Sequence, residues 1–356
     1  MTRVVPIDPQ HPDLGRIREV AEVLRDGGLV AFPTETVYGL GAHALNPTAV
    51  ARIFQAKGRP STDPMIVHLA SVDQLDVVAQ VVPTAARELA AAFWPGALTL
   101  ILEKRSIVPD AVTAGLQTVG VRVPSHPIAH ALLAAADVPV AAPSANRFSH
   151  PSPTCAEHVL ADLDGAVDVV IDGGATPIGV ESTILDLTVT PPLVRRPGGV
   201  SLEHIRHVVP GARSVSETVG RARAQPAPGQ LLRHYAPRAT LTLYVGDVRQ
   251  VVKRMGSDIR TAAASGLRAG VLAPEEDLLA LAPRLAALGA SGRVITVRCG
   301  SRRDREETAR DLFRALRALD AEAVDAIFAS APEGEGINAA ILDRLTRAAE
   351  GRVVRT

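Results

Sequence analysis

Apolar positions recur at helical spacing from Leu14 to Asp26, where Leu14, Ile17, Val20, Ala21 and Leu24 share one face, and Gly27-Gly28 ends the run before the apolar stretch LVAFP. The pattern predicts a helix and then a strand. Asn46-Pro47 supplies a cap and a first-turn proline for a second helix through Ala49, Ile53 and Phe54, which stops at Gly58. Farther on, MIVHLA, ALTLILE, VGVRVP, VPVAAP, VDVVID and TILDL read as short strands, separated by helices near 72–80, 83–93, 126–136 and 154–162. The link from TILDL to LVRRPGG is too short for a helical crossover, so a mixed sheet with antiparallel members is expected, closed by a helix at SLEHIRHVV.

From Pro210 to Pro237 the periodicity fades into Gly, Ser, Ala, Pro and Arg, which are linker residues. Beyond it TLTLYVG, AGVLA, GRVITVR and DAIFAS alternate with helices near 247–255, 274–289, 303–319 and 337–349, as a parallel doubly wound sheet requires. At 356 residues the chain also exceeds the roughly 250–300 residues at which one core stops growing. The expected organisation is a domain over 1–209, a linker or lid over 210–237 and a smaller domain over 238–356, with the chemistry in the first.

Composition narrows the function classes. Hydrophobic content of 47% with 21% charged residues describes a globular chain, and a formal net charge of zero argues against a surface built to grip nucleic acid stably. Cys155 and Cys299 are too few and too far apart for a disulfide framework or a cysteine metal site. The N-terminus lacks an apolar leader and no segment reaches about 18 uninterrupted apolar residues, so a cytoplasmic, non-membrane protein is expected.

Several loops at strand ends carry polar groups. PTETVYGLG presents Thr34, Thr36 and Tyr38 among turn-permitting Gly39 and Gly41; it suits a ligand loop and equally a turn whose threonines satisfy local backbone groups. KGRP sets Lys57 and Arg59 at a helix end, either as solvated cations complementing the dipole or as two different phosphate contacts, and Lys57 is one of only three lysines among 38 basic residues. His68 lies in an apolar run, as a core residue or a functional one. Arg122 alternates with valines and so requires a partner, either an internal acid or an anionic ligand. APSANRFSHPSPT brings Ser144, Asn146 and Ser152 into a proline-stiffened loop, while ESTILDL and LVRRPGG add Ser182, Thr183, Arg195 and Arg196; adjacent arginines on a strand face opposite ways, so one of them lines any given pocket. No GxSxG, HExxH, GxxxxGK[ST] or paired-carboxylate loop occurs, so positioning and phosphate-charge stabilisation are the chemistry on offer.

In this order PTETVYGLG, KGRP, MIVHLA, VGVRVP, APSAN and ESTILDL resemble the YrdC-type threonylcarbamoyl-AMP synthase family over about residues 14–208, and RHYAP with the second α/β region resembles its longer, two-domain form. The resemblance implies a YrdC-like twisted mixed sheet with helices, followed by a smaller Rossmann-like parallel α/β domain. It implies a nucleotidyltransferase that joins L-threonine, bicarbonate and ATP into threonylcarbamoyl-AMP with release of pyrophosphate. The product serves N6-threonylcarbamoyladenosine formation at position 37 of tRNA through a downstream transferase.

Carried over by that resemblance, Thr36, His68, Arg122 and Ser182 face threonine. Lys57, Arg59, Asp63, Thr118, Ser144, Asn146, Ser152, Arg196 and Tyr235 face ATP, with Lys57 and Arg59 as the catalytic cations, Mg²⁺ carried by the ATP, and no metal ligand assigned. Asp63 departs from an asparagine common in the family and, beside phosphates, requires a metal ion or a side chain turned away; Gln230 replaces a common methionine. The alternatives are an RNA-binding module without adenylate-forming activity, and a carbamoyl-transfer domain of a larger maturation enzyme, against which the lack of zinc-finger cysteines counts.

Overall fold

The computed structural model describes residues 1–214 and 224–356; residues 215–223, inside the expected linker, lie outside the described residues. The chain divides into two compact units, Met1–Phe148 with Ser152–Leu231, and Ser149–Pro151 with Leu232–Thr356. The expected linker 210–237 is therefore not a unit of its own: residues 224–231 belong to the first body and 232–237 to the second.

Among the described residues eleven strands build the first unit: β1 (Arg3–Pro6), β2 (Val30–Phe32), β3 (Gly39–His43), β4 (Ile66–His68), β5 (Leu98–Glu103), β6 (Thr118–Arg122), β7 (Val140–Ala141), β8 (Val169–Asp172), β9 (Thr183–Asp186), β10 (Leu193–Arg196) and β11 (Arg213–Ser214). They form a mixed sheet in the order β1-β8-β2-β3-β7-β4-β6-β5-β9-β10-β11. The short link after TILDL gives the antiparallel β9–β10 pair, as its length requires. Alternation on β2 divides the core: Val30 and Phe32 join Ile17, Val20, Leu24, Ile128 and Leu132 on one face, while Ala31 joins Val50, Ile53 and Leu89 on the other. Helices Leu14–Arg25 and Pro127–Ala136 thus cover one side, and Pro47–Lys57 and Thr84–Phe93 the other.

Two local readings change. Gly39 and Gly41 form no turn; they begin β3, antiparallel to β2, and Gly41 is needed because a Cβ there would lie 2.8 Å from the Phe32 ring and 2.9 Å from Val140. The helix expected near 72–80 is a 3₁₀ turn (Val72–Gln74) running into the single turn Leu75–Val78.

In the second unit β12 (Thr240–Val245), β13 (Ala269–Ala273), β14 (Val294–Arg298), β15 (Ala326–Ser330) and β16 (Val353–Arg355) form a parallel sheet in the order β14-β13-β15-β12-β16. The first four match the expected strands, with helices Val248–Ala264, Glu275–Ala290, Arg305–Ala321 and Ile337–Ala348 between and after them. At the carboxyl ends of β13 and β15, buried Asp277 accepts from Arg302 at 2.6 and 2.8 Å and from Ser330 at 2.5 Å, which ties three loops together. Among the described residues no helix is long and apolar enough to cross a membrane.

Gly198, after β10, sits where a Cβ would come within 2.3 Å of Glu181 O and 2.4 Å of Thr183 N. Gly198→Ala is expected to push back the backbone that carries Ser182, costing about 1–3 kcal/mol, read as a lower thermal midpoint; an unchanged midpoint contradicts this packing.

Candidate functional site

The loop between β2 and β3 is fixed from within. Thr34 Oγ1 donates to Val37 O at 2.7 Å and accepts the amides of Thr36 and Val37 at 3.2 and 3.3 Å. Both readings of the motif therefore hold, for different residues: Thr34 satisfies backbone, while the Thr36 hydroxyl accepts from Arg122 Nη1 at 3.0 Å. Arg122 ends β6 directly opposite His68 on parallel β4. Its Nε donates to Gly96 O at 3.0 Å, and its Nη2 lies 2.7 Å from Glu35 Oε1. Arg122 thus has an internal acid as partner, and both are buried. Burial works to raise the Glu35 carboxyl, but the Arg122 charge and contact outweigh it and hold the carboxyl below the ordinary carboxylate value. Burial, and then the neighbouring Arg122 charge, push His68 down to about 3, so its ring is neutral, with Nδ1 3.3 Å from Ile66 O.

The cations of KGRP are not solvated. Gly58 caps the helix Pro47–Lys57 in the left-handed conformation at φ 62°, which turns the chain so that Lys57 and Arg59 are both buried. Lys57 Nζ donates to the carbonyls of Ser144 and Asn146, each at 2.5 Å, and Ser144 is itself bridged to Gly39. This lysine clips the APSAN loop to the end of its own helix. Arg59 donates to Asp63 O at 3.1 Å and Pro64 O at 2.6 Å, and its Nη2 lies 3.0 Å from Asp63 Oδ2.

Asp63 is fully buried, paired with Arg59 and close to Lys57 and Arg196, so its side chain is turned toward the cations rather than away from them. Burial raises its carboxyl above the usual range, against the pull of the three cations.

Ser182 is bonded to Thr99 and Arg196. Its hydroxyl is 2.8 Å from Thr99 Oγ1 and 3.3 Å from Arg196 Nη2, and its carbonyl accepts from Arg196 at 3.0 and 3.2 Å. Arg196 also reaches Pro228 O at 3.4 Å, whereas Arg195 faces the other way onto Asp186 at 2.9 Å, as strand alternation demands. Residues 225–230 run along this side: Gln225 N donates to Thr62 O, Gly229 approaches Asp63, and Gln230 Nε2 donates to Arg195 O. Ser152 donates to Glu181 at 2.5 Å, and Asn146 Nδ2 to Arg147 O at 2.7 Å.

Thr118 opens β6 opposite Glu103 of β5 and lines a small hollow with Pro64 and Pro228, four residues before Arg122 and so roughly 13 Å from it. Tyr235 belongs to the second unit, where its ring meets His234 at 4.0 Å and Phe313 at 5.3 Å under the Arg344 guanidinium. Among the described residues no group of three His, Cys, Asp or Glu side chains could hold a metal ion.

A family model described as "Telomere recombination", covering Sua5, YciO and YrdC, matches residues 22–198, and one described as "Threonylcarbamoyl-AMP synthase, C-terminal domain" matches residues 200–350. The chain is 44% identical to a threonylcarbamoyl-AMP synthase of Pyrococcus abyssi, with 96% of each chain covered. The chain belongs to the threonylcarbamoyl-AMP synthase family. A threonylcarbamoyl-AMP synthase of Bacillus subtilis is 43% identical over 98% of this chain and 95% of its own. The crystal structure of P. abyssi Sua5 complexed with L-threonine superposes with a TM-score of 0.90 at 41% identity, covering all of both chains.

Within the family frame, the residues expected to face threonine and most of those expected to face ATP lie on linked elements of the first unit. Sequence reasoning passed over Glu35, Thr99 and Glu181. Glu35 stood inside a motif noted for its hydroxyls, and a buried Arg122 already called for an acid; nothing in the sequence pointed to Thr99 or Glu181.

His68 also carries a pH signature. Its folded value near 3 lies below the ordinary 6.5, so the unfolded chain binds the proton first and stability is lost as pH falls from about 6.5 towards 3. At pH 5 this costs about 2 kcal/mol. Denaturant titrations should show His68→Gln losing correspondingly less stability than wild type between pH 7 and pH 5; parallel curves would contradict a buried neutral imidazole.

Proposed function

We propose that the protein joins L-threonine, bicarbonate-derived carbon dioxide and ATP into L-threonylcarbamoyl-AMP, acting as a nucleotidyltransferase with release of pyrophosphate. The observation that carries this reading is the cation set Lys57, Arg59 and Arg196 gathered round one carboxylate, with Ser182 bonded to Arg196 and to Thr99 of β5, the strand paired with the one that carries Arg122 and its partner Thr36. Three cations to one acid leave an excess positive charge suited to a triphosphate, and the adjoining hydroxyls and Arg122 suit a small hydroxy amino acid. The L-threonine named with the P. abyssi structure supports the amino-acid half.

In this reaction the threonine amine adds to carbon dioxide and gives up a proton to form a carbamate. A carbamate oxygen then attacks the α-phosphorus of ATP, and the bond to the β-phosphate oxygen breaks as pyrophosphate departs. Lys57 and Arg59 offset charge on the leaving group, and Thr118, Ser144, Asn146, Ser152 and Arg196 hold the nucleotide. Mg²⁺ carried in with the ATP would offset phosphate charge beside Lys57 and Arg59. Residues 225–230, laid along Thr62, Asp63 and Arg196, serve as a cover that keeps water from a hydrolysable mixed anhydride. The product passes to a cytoplasmic transferase that modifies adenosine 37 of tRNA.

Pyrophosphate release from ATP is expected only with threonine and bicarbonate together; release without either sinks the reading. Arg59→Ala should lower that rate by about 10²-fold or more. Since this variant leaves Asp63 buried without its partner, its fold is to be verified by circular dichroism; a folded variant of wild-type rate removes Arg59 from the chemistry.

A further inference from the structure

We propose that the first unit carries a second ligand site, a hollow of about 430 Å³ that takes a small amphipathic anion such as an alkyl or aryl carboxylate. None of the residues expected to face threonine or ATP lines this hollow, so it is distinct from the site of the reaction given above. Four segments converge on it: the chain after β4 at 70–72, the helix Thr84–Phe93 running on into Trp94 and Pro95, Val123 just after β6, and His130 of the helix Pro127–Ala136. Ala90 and Ala91, where the helix presents only methyl groups, leave the space, and Val72, Trp94, Pro95 and Val123 give it apolar walls. Its volume lies within the range of small-molecule pockets. The walls are also set in advance. Trp94 N donates to Ala90 O at 2.8 Å and its indole N–H to Leu98 O at 2.7 Å, which leaves the hollow an apolar ring. Gly96 N donates to Val123 O at 2.8 Å, and Gly96 O accepts from Arg122 Nε at 3.0 Å. A pocket already formed costs its ligand little ordering.

The polar lining decides the sign of the ligand. It consists of Ser71, Arg87 and His130, with no acid among them. Arg87 has Asp76 at 3.8 Å, but the two side chains are 55% and 69% exposed, so this is a weak surface pair that a bound carboxylate can replace. The Ser71 hydroxyl does not cap the turn it precedes, and either neutral tautomer of His130 keeps one N–H to donate. Apolar walls with a cationic edge complement a molecule that has an apolar body and one negative end. A polyphosphate lacks the body, and an alkylammonium has the wrong charge.

Trp94 is the only tryptophan of the chain, so its emission reads occupancy of this wall directly. Octanoate titrated into the full-length protein should change that emission saturably, acetate over the same range should not, and octylammonium should bind about threefold or more weakly than octanoate. Arg87→Glu alters an exposed side chain and is expected to leave the fold intact; it should weaken octanoate by about threefold or more and favour octylammonium. An octanoate response that never saturates, or equal affinities of wild type for octanoate and octylammonium, overturns the proposal without any variant. Unchanged octanoate affinity in Arg87→Glu overturns it as well. Displacement of octanoate by L-threonine does the same, because it would put the carboxylate on Arg122 instead.

Discussion

Four cations taken out of water govern the architecture of the first unit. Lys57, Arg59, Arg122 and Arg196 are all buried, and a buried charge is tolerated only when its donors are met. The backbone meets most of them: carbonyls of Ser144, Asn146, Asp63, Pro64, Gly96, Ser182 and Pro228 point at these side chains. Loops distant in sequence are thereby drawn to common points. The helix end at Lys57 is fixed to the loop after β7, the end of β6 to the loop before β5, and β10 to the segment beyond residue 223. Removing any one of these cations would free a loop as well as a charge.

The charge is compensated differently in the two halves of the site. Arg122 faces one acid, Glu35, and the local sum is near zero; Lys57, Arg59 and Arg196 share Asp63, and the local sum is positive. Ser182 lies beside the second of these, its hydroxyl tied to Thr99 and Arg196.

Much of this was legible beforehand, for definable reasons. Strands of four or more apolar residues and helices of ten or more announce themselves by period, so β5, β6, β8 and the last three long helices of the second unit fall where the pattern puts them, while the first, Val248–Ala264, runs well past the expected end at 255. Elements that were missed are short or lack a period: β1, β11, β16 and the turn Asp110–Thr113 are held by neighbours rather than by local preference. Gly39 and Gly41 misled because glycine is read as a turn residue, whereas here it admits the Phe32 ring across a strand pair. The boundary near residue 231 likewise depends on which body each linker residue packs against.

What the sequence determined by itself was the residue inventory and its order: the KGR and SAN segments, an arginine between valines, two alternating α/β patterns, and the family these motifs resemble. Only the tertiary structure decided which partner each buried charge takes. It gave Arg122 to Glu35, set Asp63 among three cations, turned Arg195 away from Arg196, and drove the His68 ring to its neutral form. Sequence fixes the identity and local spacing of charges, but their energies depend on burial and on distances of a few ångströms between residues tens of positions apart, and those are set by packing alone.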